Sequence, residues 1–315
     1  MAVTFEPFTV AGSQHIHGEI FPYGLQVQQN NNGDASIPAV NDSVSALAQS
    51  AESGHLSELL RKHGAIVVSG VGHPSGESFS KLINAIERGR GSVPHVQIGL
   101  AGKRTVVAEN YSRYTRFPAN IHFYCQRKAL EGGETPIAHS ALVFEKVQES
   151  IPDLVQNVHE CGLAMKMVFR APGNEGTGNE FNWAGKYSFG QEFQPGDDRA
   201  TQKAKVEVQV QKLTHDFRWT DDDTLELTQY SWYSTNTSKW TSELPCDYGD
   251  GTPIPREYLE KLDKILNELE VNLALDEGDM LLVDNFQISH GRKPWKGERK
   301  ILVSMWEGAA PIQGY

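Results

Sequence analysis

The sequence predicts an α+β protein with a β-sandwich or barrel at its centre and helices packed outside it. Three observations carry that prediction. Short β-branched runs recur along the chain, from AIVVSG at Ala65–Gly70 to MLLVD and KILVSMW near the C-terminus. Between them lie stretches whose apolar residues return every three or four positions, the period of an amphipathic helix. Glycine-rich turns separate the two kinds of segment, and no internal repeat of fixed period stands out.

Taken in order, residues 1–50 are expected to form an irregular lead-in. Residues 20–40 are rich in Asn, Gln, Gly and Pro and show no sustained period, so ordered structure is expected to begin after them. One domain then covers residues 51–315. Leu56, Leu59 and Leu60 mark a helix that stops at Gly64, and AIVVSG is the strand that follows. Phe79, Leu82, Ile83 and Ile86 give a second amphipathic helix, closed by the glycine-rich RGRGS. IHFYC from Ile121 reads as a strand, GGET as a turn and TPIAHS as the return, with Ser140 placed to cap a helix through Leu142, Val143, Phe144 and Val147. Pro152 opens a short helix that ends at Gly162. Residues 163–250 read as short strands (LAMKMVF, TLELTQY) among polar, Gly-rich loops. Aromatic residues in those loops, Phe181, Trp183, Tyr187 and Trp232, are candidate pocket walls. Pro255 begins a charged helix with Tyr258, Leu259, Leu262, Ile265, Leu266 and Leu269 on one side, and three strand-like pieces complete the chain.

Composition narrows the partners. The 315 residues are 39% hydrophobic and 22% charged, an ordinary globular balance. A formal net charge of −11, with no block of five basic residues, argues against nucleic acid as a partner. Three distant cysteines, Cys125, Cys161 and Cys246, offer neither a disulfide framework nor a thiolate zinc site. The N-terminus has no basic start followed by an apolar core, and no run of 18 apolar residues occurs. A cytoplasmic protein acting on a small molecule, without membrane contact, is therefore expected; self-association is left open.

The clearest chemical signal lies in the last third. Gly278-Asp279 opens a strand through Asp284-Asn285, then Ile288-Ser-His290-Gly-Arg292 is followed by Gly297-Glu298-Arg299-Lys300 and the return strand. A strand that ends on a His, a tight turn, and a return strand that starts on a cation suit one task. The imidazole ligates a metal while the cation holds a carboxylate that chelates the same metal.

This segment resembles the C-terminal signature of the taurine dioxygenase (TauD/TfdA-like) family. A second block, Phe117-Pro118, Ile121–Cys125 and Glu131-Gly-Gly-Glu-Thr135-Pro136, resembles that family's strand and GG[DE]T turn. Weaker similarity extends back through HGAIVVSGV, so the likeness covers most of residues 55–310 and is strongest to the plant and fungal clavaminate-synthase-like branch. The resemblance implies a double-stranded β-helix (jelly-roll) core flanked by helices. It also implies iron(II) and 2-oxoglutarate as cofactors, and oxidation of a small polar, amino-acid-like or secondary metabolite as 2-oxoglutarate is decarboxylated to succinate. His290 becomes a metal ligand and Thr135 a contact to 2-oxoglutarate. Arg299, or its neighbour Lys300 if the turn is counted differently, becomes the partner of the distal carboxylate.

One motif departs from the family. Its first two ligands come as His-x-Asp/Glu ahead of the block that begins here at Phe117, where this chain reads Arg104-Thr-Val-Val-Ala-Glu109-Asn110. No His is present. Glu109 can serve as the carboxylate, which leaves Val107 at the His position; an ungapped alignment instead places Ala108 and Asn110 at the two. A homologue without catalysis, or a shortened form, is thus the alternative reading. Among substitute histidines, His122 reads as a half-buried core residue, His95 as a group near the same region, and His15 and His17 as a surface pair.

Overall fold

The helices and strands predicted from period and punctuation are present, but strands within residues 3–29 and helices over Val40–Glu52 and Arg199–Val210 also form where none was expected. The computed structural model describes residues 3–29, 40–95, 118–173, 181–185, 188–231 and 246–308. Four strands come first: β1 (Val3–Phe8), β2 (Gln14–Ile16), β3 (Glu19–Phe21) and β4 (Tyr23–Gln29). Helices α1 (Val40–Glu52) and α2 (His55–His63) lead into β5 (Ala65–Ser69), α3 (Gly76–Gly89) and β6 (Val93–Pro94). Next are β7 (Asn120–Arg127), β8 (Glu131–Gly132), β9 (Thr135–His139), α4 (Ser140–Ser150) and α5 (Pro152–Cys161). The middle of the chain holds β10 (Leu163–Arg170), β11 (Phe181–Asn182), α6 (Arg199–Val210), β12 (Phe217–Trp219), β13 (Leu225–Ser231) and β14 (Cys246–Tyr248). Helix α7 (Arg256–Leu269) precedes β15 (Val271–Leu273), β16 (Met280–Asp284), β17 (Ile288–His290), β18 (Trp295–Lys296) and β19 (Lys300–Glu307). None of these helices is long and apolar enough to cross a membrane.

Contacts divide the chain into two compact units. The first comprises Met1–His95, Pro118–Glu145 and Leu266–Tyr315. Its seven-stranded sheet runs β1-β4-β5-β16-β7-β19-β6, and a three-stranded sheet runs β15-β9-β17. The central strands AIVV and MLLV are apolar at successive positions because both faces of the large sheet are buried. Ile66, Val68, Tyr124, Met280 and Leu282 meet the apolar stripes of α1, α2 and α3, including Leu47, Leu56, Leu60, Phe79, Leu82 and Ile86, in one core. Ser75 caps α3 by accepting from the Ser78 amide at 3.0 Å.

The lead-in of residues 1–50, expected to be irregular, is ordered over residues 3–29 and again from Val40, where α1 begins. β1 pairs antiparallel with β4, and β4 runs parallel to β5 with Tyr23 opposite Ile66. The signal in β4 is a period of two, with Leu25 and Val27 buried and Gln26 and Gln28 between them. Its glutamines made that alternation read as loop.

The second unit comprises Val96–Phe117 and Lys146–Ile265. Its five strands follow the order β11-β10-β13-β12, with β14 also on β10. Helix α6 was not apparent in the sequence, because only Val206 and Val210 of it are buried. It is held by charge and aromatic contacts instead. Asp198 caps it through the Thr201 amide, Arg199 lies 4.1 Å over the Trp183 ring, and Lys203 lies 4.4 Å over Trp219. Asp223 pairs with both cations. Trp183, expected as a pocket wall, is fully buried and donates to the Asp223 carbonyl at 2.9 Å.

A carboxylate sits in the core of the first unit. Glu87 of α3 is fully buried, and its Oε1 lies 2.9 Å from His122 Nε2 and accepts from Arg90 Nη1 at 2.6 Å. Asn120 donates to Oε2 at 3.3 Å. His122, expected to be half-buried, has no exposed surface. Burial pushes the Glu87 carboxyl up, but His122, Arg90 and Ser92 overcome it and bring it from 4.5 down to about 2. A depressed acid contributes stability above its unfolded value, and that stability is lost as pH falls through the folded one. The wild-type chain is therefore expected to lose stability between pH 4.5 and about 2. Glu87→Gln, followed by urea unfolding across that range, should be destabilised at neutral pH by about 3–5 kcal/mol and show a flatter acid limb.

Candidate active site

Alternation along β7 brings the first components together. His122 and Tyr124 face the helices, so Phe123 and Cys125 face the other way. On that inner side the Phe123 ring meets the His290 imidazole, with centroids 4.8 Å apart and planes at 60°. His290 ends β17, is buried, and pairs across the sheet with Ile137 of β9. Thr135 stands two residues before Ile137, on the same face of β9. Thr135 and His290 are thus presented on one side of the three-stranded sheet.

Arg299 enters from the turn between β18 and β19. Its Nε donates to the Gly133 carbonyl at 2.8 Å, and its Nη2 donates to Thr135 Oγ1 at 3.3 Å. The two glycines of the GGET turn make this approach possible. Both have positive φ, 66° at Gly132 and 76° at Gly133. A Cβ on Gly133 would stand 2.9 Å from Arg299 Cδ, and one on Gly132 would stand 2.4 Å from the Pro294 carbonyl oxygen. Backbone bonds clasp the two turns: Gly133 N–H to Pro294 O at 2.9 Å, Lys293 N–H to Glu134 O at 2.9 Å, and Gly291 N–H to Pro136 O at 2.8 Å.

Cys125, Gly133, Thr135, Leu275, Arg299 and Ile301 line a cleft with a cavity volume of about 30 Å³. Arg127 and Lys128, also at this cleft, are paired with Glu298 and Asp276. Arg299 has no carboxylate within ion-pair distance among the described residues. Burial, then the Arg292 guanidinium, pulls its pKa below the ordinary value, against the pull of Cys125 and Glu134. Arg292 and Arg299 lie 4.4 and 6.0 Å over the Trp295 ring. Burial raises the Cys125 thiol to about 11, so it carries no charge at neutral pH. A half-buried cation beside a hydroxyl and a neutral thiol, with no carboxylate partner among the described residues, has the chemistry to hold a carboxylate.

Of the residues singled out in the sequence, Thr135, Arg299 and His290 share this inner region. Lys300 does not: it is exposed, pairs with Arg127 in the β19–β7 ladder, and is absent from the cleft lining, as expected of the strand neighbour of an inward side chain. Glu109 lies outside the described residues, with Val107, Ala108, Asn110 and Phe117. His122 is turned to the opposite face of β7. His95 Nδ1 lies 3.4 Å from Glu307 Oε1, His17 bonds Glu145 at 2.8 Å, and His15 is exposed. Phe123 and Cys125 were missed, since a strand's apolar alternation does not distinguish a site wall from a core wall.

The donors present fit the two implied groups unequally. For a carboxylate, Arg299 and Thr135 form a cradle. For a metal, all eleven histidines of the chain fall within the described residues, yet those residues contain no group of three His, Cys, Asp or Glu side chains able to hold an ion. A metal on His290 therefore needs at least one ligand from outside them, and Glu109 is the carboxylate the sequence offers.

Two variants test the cradle. By calorimetry on the metal-free chain, Arg299→Ala should weaken glutarate binding by roughly 10- to 100-fold, the weight of a charge-assisted bond. Lys300→Ala should leave it unchanged. Gly133→Ala should weaken it as well, by displacing the guanidinium.

Comparison with known proteins places this arrangement. The family model described as taurine catabolism dioxygenase TauD, TfdA family matches residues 31–306. A clavaminate synthase-like protein of Arabidopsis thaliana is 24% identical over 312 residues, covering 86% of this chain and 90% of its own. The dapdiamide synthesis protein DdaC of Enterobacter agglomerans is 25% identical over 306 residues, covering 81% and 86%. Among solved structures, PvcB of Pseudomonas aeruginosa aligns with a TM-score of 0.45 and 14% identity over 97% of this chain and 91% of its own. The family match spans the cleft, the clasped turns and His290, and the chain belongs to the TauD/TfdA dioxygenase family.

Proposed function

We propose that this chain is an iron(II)- and 2-oxoglutarate-dependent dioxygenase that oxidises a small polar or amino-acid-like metabolite. The observation that carries the reading is the Arg299–Thr135 cradle, a cation without a carboxylate partner among the described residues, in the same inner region as His290. The reading takes the two sheets of the first unit as halves of a double-stranded β-helix and residues 51–315 as one oxygenase domain. Iron(II), when bound, lets O₂ and 2-oxoglutarate react so that one oxygen atom enters succinate, CO₂ is released, and the other oxygen goes to product or water.

The chain's own residues have separate tasks. Arg299 neutralises the distal carboxylate of 2-oxoglutarate, and the Thr135 hydroxyl, which accepts from Arg299, turns its own proton to the same carboxylate. His290 offers an imidazole nitrogen to the metal, and the Phe123 ring packs against it with centroids 4.8 Å apart. Glu109 supplies the carboxylate ligand. Substrate class rests on the relatives: DdaC is named for dapdiamide synthesis.

A specific feature favours a second reading, a homologue that binds 2-oxoglutarate without iron: the segment before Phe117 contains no His. Anaerobic titration with iron(II) and 2-oxoglutarate, following the metal-to-ligand charge-transfer absorption, separates the two. The dioxygenase reading expects the band, its loss in His290→Ala, and its loss or strong weakening in Glu109→Ala. No band in the presence of tight 2-oxoglutarate binding would overturn it in favour of the second.

A further inference from the structure

We infer that Cys125 sets the length of dicarboxylate that the Arg299 cleft accepts. The inference rests on the carboxylate-binding reading above and adds a specificity-determining residue to it. Cys125 is 1% exposed and lines the cleft together with Thr135 and Arg299. It stands two residues from Phe123 on the inner face of β7, so the strand runs from the His290 contact to the guanidinium.

Two features make it a fixed wall. Its backbone is bonded in both directions, the amide to the Asp279 carbonyl at 3.0 Å and the carbonyl from the Gly278 amide at 2.8 Å. Beside it, Ile301 of β19 pairs with it across the ladder and lines the same cleft. The anion-binding end is fixed as well, because Gly133 O and Thr135 hold Arg299. Cys125, Leu275 and Ile301 thus wall the cleft beside the guanidinium. The thiol, neutral at physiological pH, adds no repulsion against a dianion. Chain length is then read by the volume of the side chain at position 125.

Calorimetry on the full chain, substituted with manganese(II) under argon, tests this with oxaloacetate, 2-oxoglutarate and 2-oxoadipate, which differ by one methylene each. Cys125→Ala should shift the 2-oxoadipate to 2-oxoglutarate affinity ratio upward by roughly 10-fold or more, the usual weight of one methylene in a tight pocket. Cys125→Leu should weaken 2-oxoglutarate by a similar factor and spare oxaloacetate. Cys125→Ser, close in size, should keep the wild-type order and reports on folding if the leucine variant fails. Unchanged ratios in Cys125→Ala, with binding abolished by Arg299→Ala, overturn the inference and leave the carboxylate site standing. Binding that survives Arg299→Ala removes the site itself.

Discussion

Everything in the candidate site depends on how β7 is held. Its two-residue period sends His122 and Tyr124 into the helical core and Phe123 and Cys125 toward the site, and a slip of one residue would exchange the two sets. The buried Glu87–His122 pair makes that slip costly, because it would strand a carboxylate without partners in the core. Arg90 and Asn120 complete the carboxylate's bonds, and Tyr124 stacks on Phe79 of the same helix at 5.2 Å. A polar lock on the helical side thus fixes a mostly apolar wall on the functional side.

The cleft shows the opposite electrostatic arrangement. Glu87 is bonded to charged and polar partners, whereas among the described residues Arg299 is hydrogen-bonded to a carbonyl and a hydroxyl and to no carboxylate. In a chain with formal net charge −11, carboxylates are plentiful, and the neighbouring Arg127 and Lys128 have each found one. Among the described residues the half-buried Arg299 guanidinium has no carboxylate partner, and burial and Arg292 both lower its pKa; a dianion bound there, as proposed, would return that stability. Functional sites commonly show such local conflict with the folding rules.

Much of this was legible in the sequence. The GGET turn, His290 and the cation after Gly297 are local signals, and the structure places Thr135 and Arg299 in contact and His290 on the same side of the three-stranded sheet as Thr135. The choice between Arg299 and Lys300 was not legible, because adjacent strand residues face opposite sides and the turn fixes the phase only in three dimensions. β4 and α6 were missed for a related reason: their buried residues are few, Leu25 and Val27 in one and Val206 and Val210 in the other, and the remaining contacts come from glutamines or from cations over tryptophans. Cys125 carried no signal at all. Its place in the cleft lining emerges only when β7, β9 and the turn before β19 converge, from positions far apart in the chain.

The central question is whether one molecule joins Arg299 to a metal on His290. A crystal structure of the chain with manganese(II) and 2-oxoglutarate, with the ion located by its anomalous scattering, tests this directly. The expected result is the ion within ligand distance of His290, the keto acid end of 2-oxoglutarate on the ion, and its far carboxylate on Arg299 and Thr135. An ion bound elsewhere, or a dicarboxylate that leaves Arg299 untouched, would contradict it.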